Sequence, residues 1–96
     1  MLETVRLSGM LICASPEESD IVRKYLPEHI RLTRGEPGCL AFDVTQTDDP
    51  LVWHVDELFV DRAAFEAHKA RTAASEWARR TSAIRRDYAI IAAGRS

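Results

Sequence analysis

The residues best suited to chemistry are Glu57 and His68, which lie at the end of a predicted strand and on the following predicted helix. A carboxylate that faces an imidazole can fix the tautomer of the ring and hold it as a general base. The same two side chains also suit a structural hydrogen bond that anchors the helix to the sheet. The sequence therefore predicts a contact between Glu57 and His68 and leaves both roles open.

A second histidine, His29, lies on the apolar face of the first predicted helix, one turn beyond Tyr25. It either points into the same pocket or packs as a core residue. Five aromatic residues are predicted to wall a pocket for a planar substrate, although in so small a domain they equally suit the core. They are Tyr25, Phe42, Trp53, Phe65 and Trp77. His54 has the opposite strand parity to Glu57 and is predicted to face the other side of the sheet.

Several classes of function are disfavoured. The three histidines lack the HxH or HExxH spacing of a metal site, so no metal ligands are predicted. Cys13 and Cys39 fall within predicted strands and are expected to be small buried hydrophobes. A net charge of −2, with basic and acidic residues interspersed, gives no footprint for nucleic acid. No signal peptide or membrane span is predicted, so a cytoplasmic location is the default expectation.

Hydrophobic periodicity and punctuation define the elements that must position these residues. Alternation predicts a first strand over 5–14, and the Ser15-Pro16-Glu17-Glu18 segment predicts a capped helix that continues to Thr33. Pro27 is predicted to kink this helix or divide it. Two further strands are predicted over 39–46 and 51–60. A helix capped by Asp61, a helix over 72–84 and a strand over 88–93 complete the chain.

The order of these elements predicts a single α+β domain over residues 1–96. The predicted arrangement is the ferredoxin-like split βαβ fold, with helices on one face of a four-stranded antiparallel sheet. Its element order is strand, helix, strand, strand, helix (in two pieces), strand.

The strands are apolar on both parities, which bears on assembly. Leu40, Phe42 and Val44 are predicted to share one face of the second strand, and Leu58 and Val60 lie opposite the inward residues of the third. A second apolar face left in water would form a large exposed patch. We therefore expect a homodimer that buries the open face of the sheet, the alternative being a monomer with exposed apolar surface.

Two segments resemble the antibiotic biosynthesis monooxygenase (ABM) family. The segment Arg34-Gly35-Glu36-Pro37-Gly38-Cys39-Leu40 is similar to the turn that enters the second strand in that family. The segment from Trp53 to His68 resembles the family's third strand and second helix, where a glutamate near the strand end precedes a helix that carries a histidine. The resemblance implies a dimeric α+β barrel with a small pocket in each protomer, between the helices and the sheet.

The resemblance also implies a set of candidate activities. Family members include oxygenases of aromatic polyketides or quinols that use no metal or flavin, haem-degrading enzymes and isomerases of a small metabolite. The haem-degrading relatives and an anthrone-oxidising relative use an asparagine, and this sequence contains none. We therefore expect a cofactor-independent monooxygenase of a small aromatic or quinol, with His68 or His29 as base and Glu57 as the residue that orients it. The alternatives are a non-catalytic ligand-binding dimer, or an isomerase in which Arg23, Arg34 or Arg71 would face the pocket.

Overall fold

A computed structural model describes residues 3–93. Its elements follow the predicted order and form an α+β, ferredoxin-like domain. They are β1 (Thr4–Ile12), α1 (Pro16–Arg34), β2 (Cys39–Gln46), β3 (Val52–Phe59), α2 (Arg62–Ala73), α3 (Glu76–Thr81) and β4 (Arg85–Ala93). The second helical region is in two pieces, as predicted, because Ser75 caps a new helix by accepting a hydrogen bond from the Ala78 backbone N–H. No helix within these residues is both long and apolar enough to cross a membrane.

The first helix begins with the predicted Ser15 cap, and Glu18 binds back to the residue before that cap. The Ser15 hydroxyl accepts a hydrogen bond from the Glu18 N–H, and the Glu18 carboxylate accepts one from the Ala14 N–H at 2.7 Å. Contrary to the alternative of two shorter helices, α1 runs unbroken through Pro27. Pro27 is exposed, so the buried stripe that includes Val22 is unaffected and its packing holds the helix together.

The sheet has the strand order β2-β3-β1-β4, and each neighbouring pair is antiparallel. Leu7 on the central strand β1 is paired with Glu57 on β3 and with Ile90 on β4. Because paired residues point to the same face, all three side chains lie on the face that the helices cover. Alternation along β3 is strict: Trp53, Val55, Glu57 and Phe59 are buried, and the residues between them are less so.

The opposite face of the sheet is mixed in character. It carries Met10, Leu58 and Ile91, of which Met10 is 36% and Ile91 50% exposed. It also carries an ion pair in which two nitrogens of Arg6 bind the two carboxylate oxygens of Asp56, at 3.0 and 2.8 Å. This face is thus apolar in part, with a charged pair between its two central strands.

A β-bulge corrects the prediction for the second strand. The register of β2 shifts between Cys39 and Ala41, which leaves Leu40 as an extra residue without a partner on β3. Phe42 and Val44 are buried on the inner face as predicted, but Leu40 is 55% exposed. The bulge changes the parity of the strand at this point, so Leu40 does not share the inner face.

Gly38, in the turn before β2, is required by two independent constraints. Its φ is +88°, and a Cβ at this position would lie 2.6 Å from the Ala64 Cβ and 2.9 Å from Val60 Cγ1. We therefore expect Gly38→Ala to lower the free energy of unfolding by at least about 2 kcal/mol, from backbone strain and overpacking together. Urea denaturation measures this loss.

Gly35 provides the matched control in the same turn. Its φ is −83°, and a Cβ at this position would have backbone oxygens at 3.6 Å as its nearest neighbours. Gly35→Ala should therefore change stability by less than about 1 kcal/mol. Equal losses for both alanines would contradict the special role of Gly38.

Candidate active site

A cavity of about 460 Å³ lies between α2–α3 and the inner face of β1, β3 and β4. Its place, with helices on one side and the sheet on the other, is the one that the family resemblance implied. Its lining residues are Leu7, His29, Glu57, Phe65, His68, Lys69, Thr72, Ala73, Trp77, Ala78, Ser82, Arg86, Tyr88 and Ile90. Glu57 and the two histidines lie close together in this wall, and further polar residues are Lys69, Thr72, Ser82, Arg86 and Tyr88.

His68 is held by a carboxylate, but the geometry assigns this contact to Glu36 instead of the predicted Glu57. The distance from His68 Nδ1 to Glu36 Oε1 is 2.8 Å. The other ring nitrogen, Nε2, lies 3.6 Å from Glu57 Oε1, which is beyond hydrogen-bond distance. Glu57 therefore faces the imidazole across a short gap, while Glu36 orients it.

Arg71 fixes the second oxygen of Glu36. Its Nε donates to Glu36 Oε2 at 2.6 Å, and its Nη2 donates to the Thr33 hydroxyl at 2.8 Å. The network joins the end of α1, the following turn and the middle of α2. Its members are positioned by three different elements, so the orientation of His68 depends on the tertiary fold and not on α2 alone.

The network selects one tautomer of His68. Glu36 is an acceptor in a charge-assisted pair with Arg71, so His68 Nδ1 must carry the hydrogen that it donates to Glu36. Burial lowers the pKa of His68, and the hydrogen bond to Glu36 opposes this shift. The neutral ring then has its lone pair on Nε2, which lies 3.4 Å from the Thr72 hydroxyl and 3.6 Å from Glu57 Oε1 and can accept a hydrogen bond or a proton.

Glu57 is an acid whose protonation changes near neutrality. It is 7% exposed, and burial, followed by the negative charges of Glu36 and Asp56, raises its pKa to about 7. A substantial fraction of Glu57 is therefore protonated at neutral pH. In that form it can donate a proton to a ligand, or a hydrogen bond to Nε2 of His68.

The raised pKa gives a prediction for stability. The folded protein retains the Glu57 proton between pH 4.5 and about 7, where the unfolded chain has released it. The stability contributed by this group is therefore present at low pH and is lost as pH rises through that window. The free energy of unfolding of Glu57→Gln, minus that of wild type, should therefore be about 3 kcal/mol larger at pH 8 than at pH 4.

Chemical denaturation of both proteins across this pH range measures the difference. Comparison of the two proteins cancels the opposing contribution of His29, whose pKa is lowered from 6.5 to about 3, and which costs stability as pH falls below 6.5. A difference that does not vary with pH would show that folding leaves the pKa of Glu57 unchanged.

His29 is a neutral, buried partner in the same wall. Its ring stacks on Trp77 with centroids 4.8 Å apart and meets Phe42 edge-on at 5.3 Å. Its centroid is 6.0 Å from that of His68. Burial, followed by the positive charge of Arg71, lowers the pKa of His29 to about 3. The two histidines are therefore neighbours in the wall of one cavity, which is one of the two placements predicted for His29. His68 is bound to a carboxylate, whereas His29 is packed between aromatic rings.

The predicted aromatic residues are divided among several places. Phe65 and Trp77 line the cavity. Phe42 packs behind it, against the rings of His29 and His68. Tyr25 lines a smaller cavity between α1 and the α2–α3 segment. Trp53 is buried under α1, where its indole N–H donates to the Ser19 hydroxyl at 3.1 Å. Of the five predicted residues, Tyr25, Phe42 and Trp53 therefore do not line the main cavity.

Several residues at or behind the cavity were not predicted as site residues from the sequence. Glu36, which binds His68 but does not line the cavity, belongs to the turn that carries the family resemblance, and its contact with α2 does not follow from any sequence spacing. Tyr88 lies on β4, and burial raises the pKa of its phenol to about 12, so it is a neutral hydrogen-bonding group. Alternation along β4 was the signal that could have placed Tyr88 on the inner face.

The basic residues at the cavity are not those named for an isomerase. Arg23 pairs with Asp20, Arg34 donates to the Phe42 carbonyl, and Arg71 is bound to Glu36. None of these three lines the main cavity, which instead includes Lys69 and Arg86.

The chain is thus a ferredoxin-like α+β domain in which an acid and two histidines line a cavity. The family model for antibiotic biosynthesis monooxygenase matches residues 10–80. The chain therefore belongs to the ABM family, as its turn and its Glu57–His68 segment indicated.

Solved structures share the fold at low sequence identity. Rv0793 from Mycobacterium tuberculosis is similar with a TM-score of 0.75 and 17% identity, over 97% of each chain. SnoaB from Streptomyces nogalater, a cofactor-independent oxygenase, has a TM-score of 0.72 and 14% identity, over 100% of this chain and 97% of its own. MupZ from Pseudomonas fluorescens has a TM-score of 0.77 and 18% identity, over 94% of this chain and 68% of its own. No curated protein sequence matches the chain.

Proposed function

We propose that this protein is a cofactor-independent oxygenase of a small phenolic or quinol-type aromatic, with His68 as the general base. The observation that carries the proposal is the hydrogen bond between Glu36 and His68 Nδ1, which leaves Nε2 as an acceptor beside the main cavity. The family and the fold shared with an oxygenase support the reaction class.

The dimensions and walls of the cavity suit such a substrate. Pockets of roughly 300–1,000 Å³ hold drug-sized molecules, and a volume of about 460 Å³ is within the range for a fused aromatic of two or three rings. Leu7, Phe65 and Trp77 supply apolar and aromatic surface for the ring system. Glu57 and His68 provide polar groups at one end, so a ring hydroxyl is the group expected to enter first.

The first step follows from the tautomer of His68. Its Nε2 removes the proton of the ring hydroxyl, and the resulting phenolate carries carbanion-like density at the ortho and para carbons. Glu36 stabilises the imidazolium that forms, because its carboxylate already accepts the Nδ1 hydrogen. This step requires the neutral ring that burial favours.

Dioxygen then reacts with an ortho or para carbon of the phenolate that carries a hydrogen, which in a hydroquinone is the ortho carbon. Electron transfer and radical recombination form a carbon–oxygen bond, and the peroxide anion takes a proton from the Glu57 carboxylic acid or from the His68 imidazolium. Loss of the ring proton at the same carbon, with cleavage of the O–O bond, releases water and leaves a carbonyl. The overall reaction converts a phenol and dioxygen into a quinone and water. The aromatic ring supplies all the electrons that reduce the oxygen.

An oxygen electrode tests the proposal directly. Purified protein, treated with a chelator and checked for the absence of flavin absorbance, is mixed with a panel of naphthols and naphthohydroquinones. We expect oxygen consumption above the rate of autoxidation, with incorporation of one ¹⁸O atom from labelled dioxygen into the product. Absence of turnover on the whole panel would contradict the proposal.

Non-catalytic binding in the same cavity is the second candidate. The network of Glu36, His68 and Arg71 would by itself anchor α2 to the turn before β2. This candidate predicts that naphthols raise the melting temperature without any consumption of oxygen. The two functions are thus separated by one pair of measurements on the same ligands.

We propose further that the protein acts as a homodimer through the outer face of the sheet. Support comes from the exposed apolar side chains on that face, including Met10 and Ile91. A two-fold partner would cover them and would place the Arg6–Asp56 pair within the interface.

Met10→Lys tests this assembly. A lysine on the central strand would carry an unpaired charge into the interface, so we expect dissociation at micromolar concentration, measured by light scattering or sedimentation. Leu32→Lys is the matched control: Leu32 is 38% exposed, close to the 36% of Met10, but lies on α1. Wild-type protein that is monomeric at this concentration would contradict the proposed dimer.

A further inference from the structure

A second, smaller cavity adjoins the candidate active site. It has a volume of about 70 Å³ and lies between α1 and the α2–α3 segment. His29 and Trp77 line both this cavity and the main one, so their stacked rings form a shared wall. Arg71, which holds Glu36, also lines the smaller cavity.

Two polar atoms mark this cavity as a binding site. Within residues 3–93, the buried side-chain nitrogens that lack a hydrogen-bond partner are His29 Nδ1 and Arg71 Nη1. Both belong to residues that line the smaller cavity, and His29 is only 4% exposed. Buried polar groups in proteins nearly always have partners, so the coincidence indicates a small hydrogen-bonding ligand.

We propose that the smaller cavity binds an ordered water that accepts a hydrogen bond from Arg71 Nη1 and donates one to His29 Nδ1. His29 then carries its hydrogen on Nε2 and serves as a neutral hydrogen-bond donor to a substrate oxygen in the main cavity. The role of the water rests on the geometry of the smaller cavity. The role of His29 towards substrate rests on the proposed function.

The donor and acceptor properties of the two residues are compatible with this direction. Arginine can only donate, so whatever lies between the two residues must accept from Nη1. Water can accept there and still donate to Nδ1, whereas an anion could only accept. The charge of Arg71 is already offset by Glu36, which disfavours an anion. The volume is ample for a water with two or more polar partners.

The two histidines would then have complementary roles. His68 presents an acceptor that can take a proton, and His29 presents a donor that stays neutral, in keeping with the lowering of its pKa by burial. A substrate that binds to both histidines needs a hydroxyl to donate to His68 and a second oxygen to accept from His29. This narrows the proposed substrates from phenols in general to hydroquinones and hydroxyquinones.

Nitrogen-15 NMR of the imidazole side chains tests the proposal without any need for activity. We expect the His29 signals to show a hydrogen on Nε2 and none on Nδ1, without titration between pH 5 and 8. A hydrogen on Nδ1, or protonation of the ring within this range, would overturn the proposal. Absence of oxygenase activity alongside the expected tautomer would count against the proposed function alone.

Two substitutions test the donor role. The amide nitrogen of glutamine reaches the position of histidine Nε2, and that of asparagine reaches only the position of Nδ1. We expect His29→Gln to bind 1-tetralone as wild type does and His29→Asn to bind it about tenfold more weakly, by calorimetry. Tetralin, which lacks the oxygen, should bind all three proteins equally. Equal affinity of both variants for 1-tetralone, in samples that melt cooperatively, would overturn the donor role.

Discussion

Replacing His68 by glutamine is expected to lower kcat for oxygen consumption by about 10²- to 10⁴-fold, the range for loss of a positioned general base. The amide of glutamine cannot take up a proton from a ring hydroxyl. Because His68 is only 5% exposed, a side chain of similar size also limits the loss of packing. The measurement is the initial rate of oxygen uptake at saturating naphthohydroquinone, corrected for autoxidation.

His54→Gln is the matched control for this substitution. His54 lies on β3 in the parity opposite to Glu57, so its side chain is on the outer face of the sheet, away from the cavity. Its substitution should leave kcat within about twofold of wild type, although it can affect association. If the two glutamine variants have the same rate, His68 is not the base and the proposed function fails.

The fold was predictable because local signals agreed with each other. The Ser15 cap, the glycine-rich turn before β2 and the alternation along β3 each specify one element, and all three were confirmed. The exceptions lie where tertiary packing overrides a local pattern. Pro27 does not divide α1, and a bulge turns Leu40 away from the inner face.

The candidate site was predictable only as far as local geometry reaches. Glu57 and His68 are near in sequence, and a strand followed by a helix brings them close in space, to 3.6 Å. The contact between Glu36 and His68 joins residues 32 positions apart, so no spacing rule indicates it. Trp53 shows a second limit. Strand parity correctly predicted that it faces inward, but parity does not give its position along the sheet, which is beside Ser19 and outside the cavity.

Glu36→Gln is expected to reduce kcat nearly as much as loss of His68, by about 10²-fold or more, because it inverts the tautomer of the base. Arg71 can only donate, so the oxygen of the new amide must face Arg71 Nε, and its NH₂ group must face His68 Nδ1. His68 Nδ1 then accepts, and the ring hydrogen moves to Nε2, where the lone pair is needed. The measurements are kcat and the ¹⁵N signals of His68.

The control for charge alone is Glu28→Gln. Glu28 is an exposed residue of α1 whose carboxylate binds the Arg31 guanidinium, so its substitution removes one negative charge without a change at His68. It should leave kcat within about twofold of wild type.

Glu57→Gln distinguishes the role of Glu57 from that of Glu36. It should slow proton delivery to the peroxide but leave the hydrogen of His68 on Nδ1. If Glu36→Gln keeps that hydrogen on Nδ1 and retains kcat, then Glu36 does not orient the base, and the sequence-based assignment of that role to Glu57 becomes the better one.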